Sequence, residues 1–189
     1  MNDVLDVFRA QEALLEGHFQ LSSGLHSTRY LQCARVLMTP RIAEDLCRRL
    51  KARWTGETPD LIVGPALGGV VVAYELARAF GVDGVFAERE NGVFTLRRGF
   101  RIEPGAKVIV CEDVVTTGGS ASEVASLLRG LGARPIGVAC LIQRTEKNPF
   151  DVPLVSLATV VPPTWKPDDC PLCKEGGRAV KPGSRPGPA

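Results

Sequence analysis

The run Val108–Ser120, VIVCEDVVTTGGS, constrains the fold more than any other stretch of the chain. Its four leading apolar residues are too short a run for a helix and rich in β-branched side chains, so they read as a buried strand. The strand ends in two adjacent carboxylates, and a Thr/Gly loop then opens a helix. In that helix Ser120 and Glu123 have capping-box spacing, Val124, Leu127, Leu128 and Leu131 form the apolar face, and Gly132 closes it. The same alternation flanks it. LIV, GPALGG and VVVAYELARAF, ending at Gly81, read as strand, glycine loop and helix; GVFAE is a short strand; PIGVACLI and VPLVSLATVV read as two more.

Continuously apolar strands alternating with amphipathic helices predict an α/β fold, with a mostly parallel twisted sheet covered by helices on both faces. In such sheets ligands bind beyond the carboxyl ends of the strands. The loops leaving those ends are Gly64–Gly69, Asp113–Ser120 and Gln143–Phe150. Upstream, the spacing of Val4, Leu5, Phe8 and Leu15 predicts a helix over Asp3–Leu15. SSGLHS reads as a turn between extended pieces at Phe19–Leu21 and Tyr30–Cys33, and Thr39–Pro40 opens a helix carrying Ile42, Leu46 and Leu50 on one face.

A chain of 189 residues suits one domain or one domain with an appendage. Seven of the 14 prolines and four glycines fall in the last 28 residues, a composition we read as unable to support a helix or strand ladder. We therefore divide the chain into a domain at 1–161, with its core at about 40–161, and a Pro/Gly-rich tail at 162–189. Lys+Arg 23 against Asp+Glu 21 lacks the basic excess of a dedicated nucleic-acid binder. The N-terminus has acids where a signal peptide has lysines, and the longest uncharged stretches fall short of the ~20 residues of a membrane span. Six cysteines are too few for a secreted disulfide scaffold, and Cys47, Cys111 and Cys140 sit in apolar segments, as in a reducing cytoplasm.

Chemistry concentrates in the 108–120 run. Free N–H groups at a helix start, with the hydroxyls of Thr116, Thr117 and Ser120, suit a phosphate. Glu112 and Asp113 stand where a polyol or metal ion attached to that phosphate would lie. No Lys follows the glycines and G-x-G-x-x-G does not occur, so neither a Walker A loop nor a dinucleotide fingerprint is present.

The run resembles the signature by which type I phosphoribosyltransferases bind 5-phosphoribosyl 1-diphosphate (PRPP). The resemblance implies that Glu112 and Asp113 hold the ribose hydroxyls and that Val114, Val115, Thr116, Thr117, Gly118, Gly119 and Ser120 wrap the 5′-phosphate. GPALGG is similar to the family's pyrophosphate loop, here Ala66, Leu67, Gly68 and Gly69, where an uncommon and sometimes cis peptide is expected.

Further segments resemble the orotate branch of that family. FQLSSGLHSTRYLQ is similar to its hood, about residues 14–37, matching at Phe19, Leu21, Ser23, Gly24 and Ser27. That implies orotate contacts from Ser22, Ser23, Gly24, Tyr30, Leu31 and Thr116. Arg144 matches an arginine expected to pair with the orotate carboxylate, which a planar guanidinium binds in bidentate fashion. The resemblance runs from about Leu14 to Val161 and implies Mg²⁺ brought in through PRPP, with Glu112 and Asp113 as further ligands. It also implies a homodimer whose mobile loop reaches the neighbouring site.

The chain departs from better-known members at Ser22, at Gly68 where they carry Lys, and in the loop Glu88–Phe100, which has neither Lys nor His. Arg89, Arg97 and Arg98 are the expected replacement cations, and the loop's length suggests a lid. A purine-salvage enzyme or a non-catalytic PRPP sensor of the same fold are the alternatives. The hood and Arg144 speak against the first, and the lack of a DNA-binding module against the second. Cys170 and Cys173 form a C-x-x-C that supplies half of a tetrahedral zinc set, and the tail adds no further Cys or His. We read the pair as a turn or a redox-sensitive dithiol in preference to zinc shared across a dimer. His18 reads as a surface residue at a helix end, and His26, in the hood turn, reads equally as a residue near a ligand or as a solvent-facing turn residue.

Overall fold

In the computed structural model, which describes residues 3–21 and 23–182, the apolar runs form strands at the expected places. The elements are α1 (Val4–Ala10), β1 (Leu14–Gln20), β2 (His26–Leu31), α2 (Ala34–Leu37), α3 (Pro40–Arg53), β3 (Leu61–Pro65) and α4 (Gly68–Phe80). There follow β4 (Asp83–Glu90), β5 (Val93–Thr95), β6 (Lys107–Val115), α5 (Gly119–Gly130), β7 (Arg134–Gln143), β8 (Leu154–Thr159), β9 (Thr164–Trp165) and α6 (Pro171–Lys174).

The chain separates into two compact units. One is Leu37–Val160, a six-stranded sheet in the order β5-β4-β3-β6-β7-β8. All neighbouring pairs are parallel except β4–β5, a hairpin turned by Asn91 and Gly92, both at positive φ. Helices α3 and α4 pack on one face of this sheet and α5 on the other. On the α5 face, Leu61, Val63, Val108, Val110, Val138 and Cys140 meet Val124, Ala125 and Leu128 in one buried cluster. Each fully buried Val or Leu contributes roughly 1.5–3 kcal/mol relative to exposure, so this layer fixes where β6 ends and α5 begins.

The other unit joins the N-terminal residues up to Val36 with those from Val161 onward. Strands β1 and β2 form an antiparallel hairpin with one extra residue on β1 between Glu16 and Phe19. β9 adds to the free edge of β2, and Val180 bridges Phe19 on β1.

Several expectations change. The first helix ends at Ala10, because Leu14 and Leu15 belong to β1. The tail is not barred from ordered structure: Thr164 and Trp165 pair with Ser27 and His26, and Pro171–Lys174 is helical. The observed division groups the hood with the tail, where the sequence grouped it with the core. β6 runs on to Val115, so Asp113, expected to begin the loop, joins Glu112 within the strand. The expected capping box does not form. Gly118 caps α5 in a left-handed conformation, Ser120 lies inside the helix, and Glu123 pairs with Arg89 instead. No helix among the described residues is long and apolar enough to cross a membrane.

Candidate active site

Three loops leave the carboxyl ends of β3, β6 and β7; the first lies against the end of β6, and the second against the third. Strand alternation puts Glu112 on the face of Val108 and Val110, toward α5, and Asp113 on the face of Ile109 and Cys111, toward α4. The α4 side brings Asp113 against the glycine loop. A Cβ built on Gly68 would lie 2.6 Å from Asp113 Oδ1 and 2.9 Å from its Cγ. A side chain at 68 would require the Asp113 carboxylate to shift, so the glycine lets the loop approach the acid closely. The Ala66–Leu67 peptide in the same loop is cis, and the side chain of Leu67 is exposed.

The loop after β6 is Thr116–Gly118. Gly118 has φ +80°, and a Cβ there would meet Pro149 Cγ at 2.8 Å and the Phe150 ring at 2.9 Å, so the turn is pressed against the loop that follows β7. The first intrahelical bond of α5 runs from the Ser122 N–H to the Gly118 carbonyl, 2.9 Å. The N–H groups ahead of it have no acceptor within the helix, and among the described residues no side chain caps them. Thr116 and Thr117 are exposed beside them. The result is a positive helix end flanked by hydroxyls and set directly after two carboxylates.

Burial, and secondarily the charge of Asp113, pushes Glu112 up to about 8. Burial also raises Asp113, against which the Val114 N–H donates a 2.8 Å hydrogen bond to its Oδ1. Carboxylates held above their ordinary range are groups that hydroxyl donors or a cation would stabilise. The donor set is all carboxylate oxygen, which fits a hard ion such as Mg²⁺.

The Arg144 backbone N–H donates to the Val115 carbonyl at 2.7 Å, which ties the residue to the end of the acidic strand. Its guanidinium is partly buried, and desolvation pulls its pKa below the ordinary value. The arginines of the 88–100 segment, which includes the end of β4 and all of β5, are tethered. Arg89 forks onto Glu123 of α5 at 2.8 and 3.0 Å, donates to the Gly92 carbonyl and lies over the Phe94 ring. Arg98 donates to Glu88 at 3.0 Å, and Arg97 lies 3.8 Å from both Glu88 and Glu90. The hood residues belong to the other unit. Ser23 is exposed, Gly24 turns at φ +82°, and Tyr30 and Leu31 are half-buried on β2, with the Tyr30 ring tilted on Phe19. Ser22 lies outside the described residues.

Residues 38–157 match the family model of the phosphoribosyl transferase domain. The orotate phosphoribosyltransferase of Heliobacterium modesticaldum is 52% identical over 187 residues, spanning 97% of this chain and 98% of that protein. This chain belongs to the orotate phosphoribosyltransferase family. The family member of Pelotomaculum thermopropionicum is 50% identical over 185 residues, 97% of each chain. Among solved structures, orotate phosphoribosyltransferase from Aeropyrum pernix matches with TM-score 0.65 and 27% identity, over 83% of this chain and 93% of that one. Adenine phosphoribosyltransferase from Thermoanaerobacter pseudethanolicus matches with TM-score 0.60 at 20% identity, over 70% of this chain and 88% of that one, so the fold is shared with purine enzymes.

Two residues escaped the sequence reading. His18 and His26 lie 3.0 Å apart, nitrogen to nitrogen, and both contact the cysteines of the C-x-x-C. His18 is half-buried in β1, not at a helix end, and His26 is buried at the start of β2, which removes the solvent-facing turn reading. The only sequence signal was an orphaned Cys pair together with the chain's only two histidines.

Proposed function

We propose that this chain transfers the phosphoribosyl group of PRPP to orotate, giving orotidine 5′-monophosphate and pyrophosphate in pyrimidine nucleotide synthesis. The observation that carries the reading is the Glu112–Asp113 pair, set between the Gly68 loop and the Thr116–Gly118 turn. Those are the three pieces a phosphorylated sugar with a pyrophosphate leaving group requires. Near-full-length identity of about 50% to named orotate phosphoribosyltransferases supports orotate as the acceptor.

In this reading the N–H groups at the start of α5 and the hydroxyls of Thr116, Thr117 and Ser120 hold the 5′-phosphate. Glu112 and Asp113 accept hydrogen bonds from the ribose hydroxyls and orient C1. The pyrimidine nitrogen attacks C1 from the face opposite pyrophosphate, through an oxocarbenium-like transition state. Asp113 lies close enough to the sugar to interact with its developing positive charge. The backbone of Ala66–Gly69 cradles the leaving pyrophosphate. Magnesium entering with PRPP, with Glu112 and Asp113 as its protein ligands, would neutralise charge on the leaving group. Arg97 and Arg98 exchange their Glu88 and Glu90 partners for pyrophosphate when the loop closes, and Arg144 pairs with the orotate carboxylate. Orotate reacts as a ring-nitrogen anion, so no loop histidine is needed as base. A cytoplasmic homodimer, with the 88–100 loop reaching the neighbouring site, completes the proposal; mixing two differently inactivated variants and looking for regained activity tests it.

The deciding assay offers purified protein Mg²⁺ and PRPP with orotate, uracil, adenine, guanine, hypoxanthine or xanthine. Turnover on orotate alone is expected. Turnover on a purine refutes the reading, and PRPP binding without turnover on any base marks a sensor.

A further inference from the structure

The hood-and-tail unit contains four side chains that the transfer reaction does not use: His18, His26, Cys170 and Cys173. Their nitrogen and sulfur atoms all lie within 4.8 Å of one another. His18 Nε2 is 3.0 Å from His26 Nδ1, and Cys170 Sγ is 3.4 Å from His18 Nε2. Cys173 Sγ is 3.7 Å from His18 Nε2 and 3.3 Å from His26 Nδ1. In a tetrahedral zinc site, metal–nitrogen bonds of about 2.0–2.1 Å and metal–sulfur bonds of about 2.3 Å set N···N near ~3.3 Å and S···N near ~3.5 Å. The four separations above fall within about 0.3 Å of those values, and the remaining two pairs lie within 4.8 Å.

Local structure explains why they converge. His18 is two residues from Gln20, the register partner of His26, so the two imidazoles are diagonal neighbours on one face of the β1–β2 hairpin. The extra residue on β1 falls in the same stretch, between Glu16 and Phe19. Its other nitrogen, Nδ1, is buried near Gly177, so Nε2 is the atom His18 offers. Cys170 caps α6 and Cys173 follows one helical turn later, which places both sulfurs on one side. Cys170 is fully buried, His26 is 7% exposed, and both cysteines are free thiols.

We propose that these four residues bind one structural zinc ion that clamps the C-terminal tail to the hood. Two thiolates and two imidazoles close a tetrahedral set with no position left for water, which marks the site as structural and favours zinc over oxygen-preferring ions. The tail needs such a clamp. β9 has two residues and α6 four, and from Pro162 to the last described residue only Pro162 and Cys170 are buried. Elements that short do not hold by themselves. The ligands lie up to 155 residues apart in sequence, so the ion ties the two ends of the chain together.

The test uses the full chain, purified without a polyhistidine tag and assayed for metal by plasma mass spectrometry. One zinc per chain is expected, falling to a small fraction in Cys173→Ser and in His18→Ala. Chelator-treated wild-type protein titrated with Co²⁺ should show tetrahedral d–d bands and a thiolate charge-transfer band saturating at one equivalent, a readout that needs no variant to fold. Chelation should also open the tail to trypsin at Lys174 and Arg178, and zinc should restore protection. The proposal is overturned if zinc-reconstituted wild-type protein holds no stoichiometric metal, if cobalt gives no thiolate band, or if Cys170 and Cys173 prove to be disulfide-bonded in the active protein.

Discussion

Gly68→Ala tests the close approach of the glycine loop to the acidic end of β6. The built Cβ lies 2.6 Å from Asp113 Oδ1, and ordinary van der Waals contact begins at 3.4 Å, so the carboxylate must retreat by about 0.8 Å. That movement breaks the 2.8 Å hydrogen bond from the Val114 N–H. Hydrogen bonds to charged groups contribute roughly 1.5–3 kcal/mol, and each ~1.4 kcal/mol is a tenfold change in rate. Together with the misplacement of a ribose-holding group, kcat/KM for PRPP should fall by about 10–100-fold. The same lost bond should lower the melting temperature by several degrees, at ~2–4 °C per kcal/mol for a chain of this size, while the exposed position of Gly68 at the first turn of α4 adds no core disruption. Steady-state kinetics with varied PRPP, beside a thermal melt, make the measurement. Gly130→Ala serves as the control. That glycine ends α5 with nothing within 4 Å of its built Cβ, and alanine there should be neutral or stabilising by up to ~1 kcal/mol. If Gly68→Ala keeps kcat/KM within twofold of wild type, Asp113 is not positioned through this contact and the reasoning fails.

Arg144→Ala should raise KM for orotate by at least ~10-fold, the loss of one charge-assisted pair, and leave KM for PRPP nearly unchanged; equal effects on both would remove Arg144 from the base site. Leu128→Ala, in the buried layer between α5 and the sheet, should cost about 2–5 kcal/mol in denaturant unfolding, and a loss below ~1 kcal/mol would mean that the layer does not anchor α5. Burial pushes the Cys47 and Cys140 thiols up to about 12. Both should therefore resist iodoacetamide at pH 8 while folded, and peptide mass spectrometry showing rapid alkylation would contradict their burial. The linkage has a definite sign. Unfolded thiols lose their protons near pH 9 and these lose theirs near 12, so unfolding releases protons across that window and stability falls as pH rises through it.

Much of the core unit was legible because its signals are local. Strand β6 and helix α5 follow from apolar runs and helical spacing, and Glu112 and Asp113 from their place at the end of one such run. Boundaries were less legible. A strand continues for as long as a neighbour supplies backbone partners, and the pairing of Val114 and Val115 with Ile142 and Gln143 carried β6 past the acids. The capping-box pattern at Ser120 and Glu123 failed for a similar reason. Arg89, 34 residues away, offered Glu123 a bidentate partner, and the left-handed Gly118 started the helix two residues early.

By itself the sequence determined the class of sheet, the acid pair and the glycine loops, since each rests on residues close together in the chain. Only the tertiary structure decided that Gly68 lies against Asp113, that Arg89 is held by Glu123, and that the tail belongs with the hood. The C-x-x-C makes the contrast plainest. Read along the chain, Cys170 and Cys173 lack two ligands, and His18 and His26 are too distant to be counted with them. The β1–β2 hairpin and a tail laid along it bring the four together, because hydrogen-bonded pairing and burial act through space and take no account of sequence separation.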